Sequence, residues 1–232
     1  MKTKSKKSGG LPENIRKLIA TSWIAVFDAN KSVLSFKKGE RIYKEGEVIK
    51  EMGFLNSGKI KIVANDGESN EHLARLITNG GIVGIRAYGN KMILPVSAIA
   101  LTDCEITFIP IKVFDEMMLG NINFCYYFMD VIATELRQSE KQMQAFSRME
   151  MRERLALAIL MNLNEFGYAK GNKGLLGFTL SRKDFSSIIG TSYETVIRML
   201  SEIEKMKLIR LENKNIRILN EKKLLKMVNV HS

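Results

Sequence analysis

Cysteine and histidine are scarce in this chain of 232 residues, which has two of each: Cys104, Cys125, His72 and His231. The cysteines lie far apart without the spacing of metal ligands, so neither a disulfide framework nor a cysteine-held iron–sulfur cluster is expected. Two histidines are too few for a metal site built on histidine. The sequence therefore predicts no metal site and a reducing, cytoplasmic compartment. It leaves the identity of any cofactor unknown, haem included.

Long hydrophobic runs are absent as well. No stretch reaches the roughly eighteen apolar residues that a membrane-spanning helix requires, so no membrane association is predicted. Residues 1–10 are basic and polar with no apolar segment behind them, which is not the pattern of a secretory signal. We expect these ten residues to form a disordered, lysine-rich lead-in.

Positive charge is in excess. The formal net charge is +11, and residues 166–232 contain 13 Lys and Arg against 6 Asp and Glu. This concentration favours a polyanionic partner, because lysine and arginine neutralise phosphates and release counterions. A well-solvated basic surface is the alternative. The length suits two domains.

The first half of the chain changes its pattern at about residue 36. Residues 11–35 have apolar side chains at helical spacing, which predicts a helix. From Phe36 to Ile111, glycines separate short runs of β-forming residues. Short strands between regular turn signals are typical of an antiparallel β-sandwich or barrel.

Residues 121–166 contain neither glycine nor proline. Their apolar positions recur in alternating steps of three and four, which is the heptad pattern of a helix that pairs with a second helix. We expect a parallel dimer along this seam, with packing against the chain's own β-domain as the alternative for the first turns. The pattern lapses at 147–152, which predicts a hinge. The predicted dimer seam consists of Met129, Ile132, Leu136, Ser139, Met143 and Phe146.

Residues 179–205 predict two helices joined by a tight turn. Ser181 followed by Asp184 resembles a helix start, and Thr191 followed by Glu194 resembles a capping box. Gly190, between them, suits a helix end in the left-handed conformation. Residues 208–219 then alternate around a polar turn and predict a hairpin, which would be the wing of a winged helix-turn-helix. An αα-hairpin without a ligand is the alternative.

The second of these helices is the predicted recognition helix. Begun near Ser192, it can enter the major groove with its first turns facing base edges. Arg198 can donate to guanine O6 and N7, and Glu194 can accept from cytosine N4; a mutual ion pair is the alternative. Tyr193 is a third candidate for base contact. The candidates for phosphate contact are Ser181, Arg182, Thr191, Ser192 and Lys214.

With these elements in order, the chain resembles the Crp/Fnr family of bacterial regulators. The segments that carry the resemblance are Lys38–Glu47, Phe54–Ile62, Gly80–Gly84 and Thr191–Leu200. The resemblance implies an α+β chain with an antiparallel β-roll (a double-stranded β-helix like that of cyclic-nucleotide-binding domains), a long dimerisation helix and a winged helix-turn-helix. The expected ranges are 1–10 for the lead-in, 11–120 for the effector-sensing roll, 121–147 for the helix and 148–232 for the DNA-binding domain.

The same resemblance implies a homodimer that binds a palindromic double-stranded DNA operator and contacts RNA polymerase. Glu194 and Arg198 take the positions of the family's base-reading residues. Tyr193 stands where the cyclic-AMP receptor branch has arginine, and Ile197 replaces a small residue. We therefore expect a G·C contact in each half-site rather than the whole consensus of that branch.

The effector implied is not cyclic AMP. Segments 84–87 and 94–97 lack the ribose-binding glutamate and the phosphate-binding arginine of the cyclic-nucleotide branch, and the cysteine cluster of the oxygen-sensing branch is absent. An unidentified small molecule, apolar or aromatic, is expected between the roll and the long helix, although the same residues suit a plain core. The candidate pocket residues are Arg86, Tyr88, Lys91, Met92, Tyr126, Tyr127 and Met129.

Three other readings stay open. A regulator that is constitutive or controlled by another protein would have the same architecture with a vestigial pocket. A non-specific nucleic-acid-binding protein would bind through charge alone. A metal enzyme built on a similar barrel would need several histidine ligands, which this chain lacks. No catalytic triad and no phosphate-binding glycine loop is found, so no enzymatic activity is predicted.

Overall fold

The computed structural model describes residues 9–65, 71–89 and 91–228, and the backbone of Thr3 and Lys4. The chain divides into two compact units, residues 1–65 with 74–138 and residues 66–73 with 139–232. The division falls inside a long helix, whereas the sequence predicts domain limits at 120 and 147. Those limits remain predictions.

Two short helices replace the single helix expected over 11–35. Helix α1 spans Glu13–Arg16 and α2 spans Thr21–Asn30, and the chain then enters a β-strand at Ser32. The predicted end at residue 35 is therefore wrong. The run Ser32–Phe36 is a strand of the five-stranded sheet, where Leu34 pairs with Ile106; tertiary pairing overrides a weak local preference there.

The first unit contains two sheets of short strands. The strands are β1 (Thr3–Lys4), β2 (Ser32–Phe36), β3 (Arg41–Tyr43), β4 (Glu51–Ser57), β5 (Ile60–Asn65), β6 (Glu71–Ile77), β7 (Ile82–Val83), β8 (Ser97–Ala100) and β9 (Cys104–Pro110). One sheet has the order β1-β2-β9-β4-β7 and the other has the order β3-β8-β5-β6. Strands β2 and β9, β4 and β9, and β5 and β8 pair antiparallel, as predicted.

Part of the expected disordered lead-in has a defined place. Thr3 and Lys4 pair with Ser35 and Leu34, and the carbonyl oxygen of Gly10 accepts a hydrogen bond of 3.1 Å from Asn56 Nδ2. Thr3 and Lys4 thus form a short strand where disorder was expected, because the edge of β2 offers backbone groups that need partners. The remaining residues of the lead-in, 1–2 and 5–8, lie outside the described residues.

Helices cover one side of the first unit. Helix α3 spans Ile111–Gly120, and α4 spans Ile122–Arg148. Buried aromatic rings join them to the roll, with Phe114 and Phe128 at 4.9 Å between ring centroids. The first turns of α4 therefore pack on their own domain, as the alternative reading of the seam required.

The second unit includes the end of α4 and contains a winged helix-turn-helix. Helix α5 begins at Met151, within the predicted lapse, with Glu150 and Glu153 forming a capping box. The other elements are α5 (Met151–Phe166), α6 (Arg182–Ile189), α7 (Tyr193–Lys205), β10 (Ile209–Glu212), β11 (Asn215–Ile218) and α8 (Glu221–Val228). Strands β10 and β11 pair antiparallel through Glu212 and Asn215, which confirms the predicted hairpin. No helix in the described ranges has both the length and the apolarity needed to cross a bilayer.

Candidate nucleic-acid interface and the roll cavity

Helix α6 starts at the predicted cap. Ser181 Oγ accepts a hydrogen bond of 3.0 Å from the Asp184 amide and donates one of 2.6 Å to Asp184 Oδ2. Asp184 Oδ2 also accepts from the Ser181 amide at 3.2 Å. This reciprocal capping box satisfies amides at the start of the helix. It also occupies the Ser181 hydroxyl that was a candidate for phosphate contact.

The turn between α6 and α7 follows from Gly190, which adopts the left-handed conformation with φ 70°. The predicted capping box of Thr191 and Glu194 is wrong by one residue. The Thr191 amide donates to the Ser186 carbonyl at 3.1 Å and so still belongs to the end of α6. Ser192 is the cap of α7, and its Oγ accepts from the Thr195 amide at 3.2 Å.

Helix α7 separates a buried face from an exposed face. Val196, Met199, Leu200 and Ile203 are buried. The exposed face has Tyr193, Glu194, Ile197 and Arg198. Within the described part of the chain no ion pair joins Glu194 to Arg198, so the alternative of a mutual ion pair is not realised in this structure. Three polar side chains at the start of this helix thus reach solvent.

The remaining phosphate candidates lie near the wing and the turn. Lys214 is exposed in the loop between β10 and β11, Ser192 is exposed and Thr191 is half-buried. Arg182 is half-buried, and its Nη1 donates to the Lys214 carbonyl oxygen at 2.7 Å. Burial lowers the pKa of Arg182, and Tyr193 opposes this with a smaller effect.

The base of the wing is held by Arg217. Its Nε donates to Glu212 Oε1 at 2.6 Å, its Nη2 to Glu212 Oε2 at 3.1 Å and its Nη1 to Asn172 Oδ1 at 2.8 Å. The hydrogen bonds from Arg217 lower the pKa of Glu212, and those to Glu212 raise the pKa of Arg217. The hairpin is thus held against the loop before α6.

Two arginines that line a cavity of the roll, Arg75 and Arg86, form a cluster with Glu135 that was not predicted from the sequence. Glu135 of α4 has a side chain only 9% exposed, pairs with Arg75 of β6 and lies 3.5 Å from Arg86 Nε. Tyr43 Oη accepts a hydrogen bond of 3.0 Å from the Gly84 amide. Burial raises the pKa of Tyr43 to about 12. The residues lining the cavity are Tyr43, Ile62, Arg75, Ile77, Ile82, Gly84, Ile85, Arg86 and Val96.

One sequence signal could have found Glu135. It continues the inward-facing series of Phe124, Phe128 and Val131 on α4, in steps of four, three and four. A carboxylate on the buried face of a helix requires a buried partner. The partners themselves, from β6 and from the 3₁₀ turn Ile85–Ala87, follow only from the tertiary fold.

Of the seven predicted pocket residues, Arg86 lines this cavity and the other six do not. Tyr88 packs against Phe114 and Phe128 and donates a hydrogen bond of 2.8 Å to Asp115 Oδ1. Burial and this hydrogen bond raise its pKa to about 12. Tyr88 is therefore a core residue, which was the alternative reading.

The other predicted pocket residues have separate environments. Tyr127 Oη accepts from Asn14 Nδ2 at 2.9 Å. Met92 is half-buried and packs on the small cluster of Ile49, Ala87 and Leu94. Three of these other residues are exposed: Lys91, Tyr126 and Met129. The prediction grouped these residues because a pocket was expected between the roll and the first turns of α4. Tyr126 and Met129 instead lie exposed on α4.

The predicted dimer seam forms an exposed apolar stripe on α4. Met129 is 59% exposed, Ile132 41%, Leu136 59% and Met143 68%. Ser139 is exposed on the same stripe. Phe146, at its end, is half-buried, with the Arg154 guanidinium 6.0 Å from its ring centroid.

The described residues contain no cluster of three or more His, Cys, Asp or Glu side chains that could hold a metal ion. Cys104 and Cys125 are both free thiols. Cys104 is buried, and burial raises the pKa of its thiol.

Comparison with known proteins gives matches in both units. The family model of the cyclic nucleotide-binding domain matches residues 33–121, and that of the Crp-like helix-turn-helix domain matches residues 153–227. The transcriptional activator protein Anr of Pseudomonas protegens is 26% identical over 185 residues, which cover 79% of this chain and 75% of that protein. FnrA of Stutzerimonas stutzeri is 25% identical over 197 residues, covering 84% and 80%.

Solved structures show the same fold. FixK2 from Bradyrhizobium japonicum superposes with a TM-score of 0.75 at 19% identity, covering 85% of this chain and 96% of that one. A CooA mutant from Carboxydothermus hydrogenoformans has a TM-score of 0.75 at 16% identity, covering 96% and 97%. At these identities the likeness concerns the fold.

Proposed function

The chain belongs to the Crp/Fnr family of DNA-binding transcription regulators, and from this premise we propose that it binds a palindromic site as a homodimer under the control of a small-molecule effector other than cyclic AMP. Its relatives are regulators and not enzymes. We place the protein in the cytoplasm, with RNA polymerase as its partner at the promoter.

The exposed face of α7 carries the proposal of sequence-specific binding. Glu194 and Arg198 are four residues apart, exposed and not paired with each other in the described chain. Each therefore keeps its hydrogen-bonding groups for a base edge, Arg198 for guanine and Glu194 for cytosine. Tyr193, 50% exposed, stands beside them at the start of the helix.

The apolar stripe on α4 supports the homodimer. Four large side chains that are 41–68% exposed follow one heptad series on a 27-residue helix. Such a stripe costs free energy in water and is covered when a second, parallel copy of the helix packs on it. A dimer also places two recognition helices about one turn of DNA apart, which matches a palindromic site.

The roll cavity supports an effector that is not a cyclic nucleotide. Its volume is about 10 Å³, roughly the space of one water molecule, so a cyclic nucleotide does not fit into it. Ile85 and Val96, from the two segments in which the cyclic-nucleotide branch has its glutamate and arginine, give it apolar walls. Glu135 already neutralises charge there.

The same Arg–Glu–Arg cluster favours a second candidate, in which the regulator is constitutive or controlled by another protein. A carboxylate of the chain would then permanently hold the arginines that a ligand could use. This candidate predicts DNA binding of equal strength with and without small molecules.

The test is a selection of purified protein against a randomised duplex pool, with sequencing of the retained DNA. Recovery of a two-fold symmetric site is expected, and a site that appears only after addition of a small-molecule extract would identify effector control. A site recovered equally without extract would favour the constitutive candidate. Failure to enrich a site in both conditions would contradict sequence-specific binding and leave non-specific binding to nucleic acid.

Substitution of Arg198 assigns the base contact. In Arg198→Ala, discrimination at one G·C pair per half-site should fall by about 1–3 kcal/mol, with affinity for random duplex little changed. The control is Lys205→Ala, which removes the same charge from the last turn of α7. Equal losses of discrimination in both variants would contradict the assignment.

Substitution in the α4 stripe tests the dimer. Leu136→Glu places a charge in the seam and should give a monomer in sedimentation, with affinity for the two-fold site reduced at least about 10²-fold because both half-sites no longer bind together. Gln138→Glu, which adds the same charge at an exposed position off the seam, should remain dimeric. A dimeric Leu136→Glu variant would refute the seam.

A further inference from the structure

The guanidinium of Arg182 points at the backbone of the wing tip. Its Nη1 donates to the Lys214 carbonyl oxygen at 2.7 Å, and its Nη2 lies 3.5 Å from the Asn213 carbonyl oxygen. These two residues form the whole loop between β10 and β11, and Asn213 has the left-handed φ of 55°. One planar side chain thus contacts both residues of the turn.

Arg182 reaches the wing from a capped helix start. It is the first residue of α6 and lies between Ser181 and the buried Asp184, which form the capping box, and the buried Phe185 follows on the helix. On the wing side, the Ile216 amide donates to Thr179 Oγ1 at 3.2 Å. The segment before α6 and the start of α6 therefore both hold the hairpin.

Lys214 is placed differently. Its side chain is exposed at the tip, and no hydrogen bond or ion pair of its ammonium group is found among the described residues. A lysine at an exposed loop contributes to phosphate binding only if the loop keeps it near the backbone of the duplex, since ordering a mobile loop on binding costs entropy. Fixing the tip beforehand reduces that cost.

We propose that Arg182 is a positioning residue: it fixes the wing tip and thereby presents Lys214 to a DNA phosphate, instead of serving as a separate phosphate contact. The inference rests on the proposed phosphate role of Lys214. Arginine suits this task because its planar fork reaches two carbonyl oxygens at once, whereas the ammonium group of lysine is a point charge. Substitution of Arg182 by lysine keeps the charge but loses the fork.

The first measurement is the salt dependence of binding to a random-sequence duplex pool, using the full chain. Lys214→Ala should lower the slope of log affinity against log salt by about 0.9, the value of one phosphate contact. Arg182→Ala and Arg182→Lys should each move the slope toward that of Lys214→Ala. The double variant Arg182→Ala/Lys214→Ala should equal Lys214→Ala alone.

The control is Lys183→Ala, the exposed neighbour of Arg182 in the first turn of α6. Its effect on the slope should be the same in the wild-type and the Lys214→Ala backgrounds. If Arg182→Lys keeps the wild-type slope and Arg182→Ala adds its full effect to that of Lys214→Ala, Arg182 contacts a phosphate directly and the proposal is overturned.

The second measurement needs no DNA and keeps the inference separable from the proposed function. Hydrogen exchange of the Lys214 and Asn215 amides should accelerate about two- to tenfold in Arg182→Lys, with the amides of α6 unchanged. Unchanged exchange at the tip would overturn the positioning role even if the protein binds DNA. A protein that binds no duplex would contradict the proposed function, and the exchange result would still decide whether Arg182 holds the wing.

Discussion

In each of the two units of the molecule a buried polar side chain connects a helix to a neighbouring segment, and the two contacts differ in their chemistry. In the roll, the carboxylate of Glu135 on α4 is held between Arg75 and Arg86. In the winged domain, Asn162 on α5 donates a hydrogen bond of 2.6 Å to the Phe178 carbonyl oxygen and accepts one of 3.0 Å from the Leu180 amide.

The difference concerns how each contact can be changed. The roll contact consists of charges, two of them on arginine side chains that are 26% and 30% exposed, so a dissolved anion can reach the arginines and compete with the carboxylate. The contact of Asn162 is neutral, fully buried and made to backbone, so no solute competes for it. An exchangeable contact suits the proposed sensing role of the roll, and a fixed contact suits the proposed recognition role of the winged domain.

The largest expected effect comes from breaking the charged contact. Glu135→Ala removes the buried carboxylate that pairs with Arg75 and lies 3.5 Å from Arg86 Nε, and it should lower the free energy of unfolding by about 3 kcal/mol, measured by urea denaturation. Glu140→Ala, an exposed glutamate on the same helix, should stay within about 0.5 kcal/mol of the wild type. Equal stability of the two variants would show that the cluster contributes nothing to the roll.

Breaking the neutral contact should cost somewhat less. Asn162→Ala removes both hydrogen bonds and takes from the buried Leu180 amide its acceptor on Asn162, with an expected loss of about 2 kcal/mol. Asn164→Ala, two residues further on α5 and exposed, is the matched control. Added phosphate or another small anion should partly restore the stability of Glu135→Ala, because the anion can pair with the arginines. It should not restore the stability of Asn162→Ala, because that contact is neutral.

The smallest effect is a pH dependence of the roll. The pKa of Tyr43 is raised to about 12, mainly by burial, so the folded state keeps its proton where the unfolded chain, with a pKa near 10, releases it. The contribution of Tyr43 to the free energy of unfolding is complete below pH 10 and is lost as the pH rises toward 12. The loss is about 1 kcal/mol between pH 10 and 11. The groups near Tyr43 are Arg75, Arg86 and Glu135.

Urea denaturation between pH 9 and about 12 would measure this decline in the free energy of unfolding. Tyr43→Phe should show a shallower alkaline decline than the wild type. Tyr168→Phe in the winged domain is the control for the other unit, because the pKa of Tyr168 is also raised to about 12 but the residue is 40% exposed and solvent weakens the effect. Identical declines in the wild type and Tyr43→Phe would contradict the assignment.

Much of the winged domain could be predicted from local sequence. Ser181, Asp184 and Gly190 start and end α6 within a few residues of one another, and the alternation around Asn213 and Lys214 predicts the hairpin. The cap of α7 was misplaced by one residue, because Thr191 and Ser192 are both good caps and only the hydrogen bond of the Thr191 amide to Ser186 decides between them. The heptad stripe of α4 was also visible, and the structure shows it exposed.

The sequence by itself determined the family, the order of the two units, the turn at Gly190 and the exposed positions of α7, since each depends on neighbouring residues or on a recognisable motif. Only the tertiary structure decided that Arg75, Arg86 and Glu135 come together, that Tyr88 packs against the aromatic core and that Arg182 turns toward the wing. These contacts join residues that are distant along the chain, and local preference contains no information on which distant partner satisfies a buried charge or an exposed loop carbonyl.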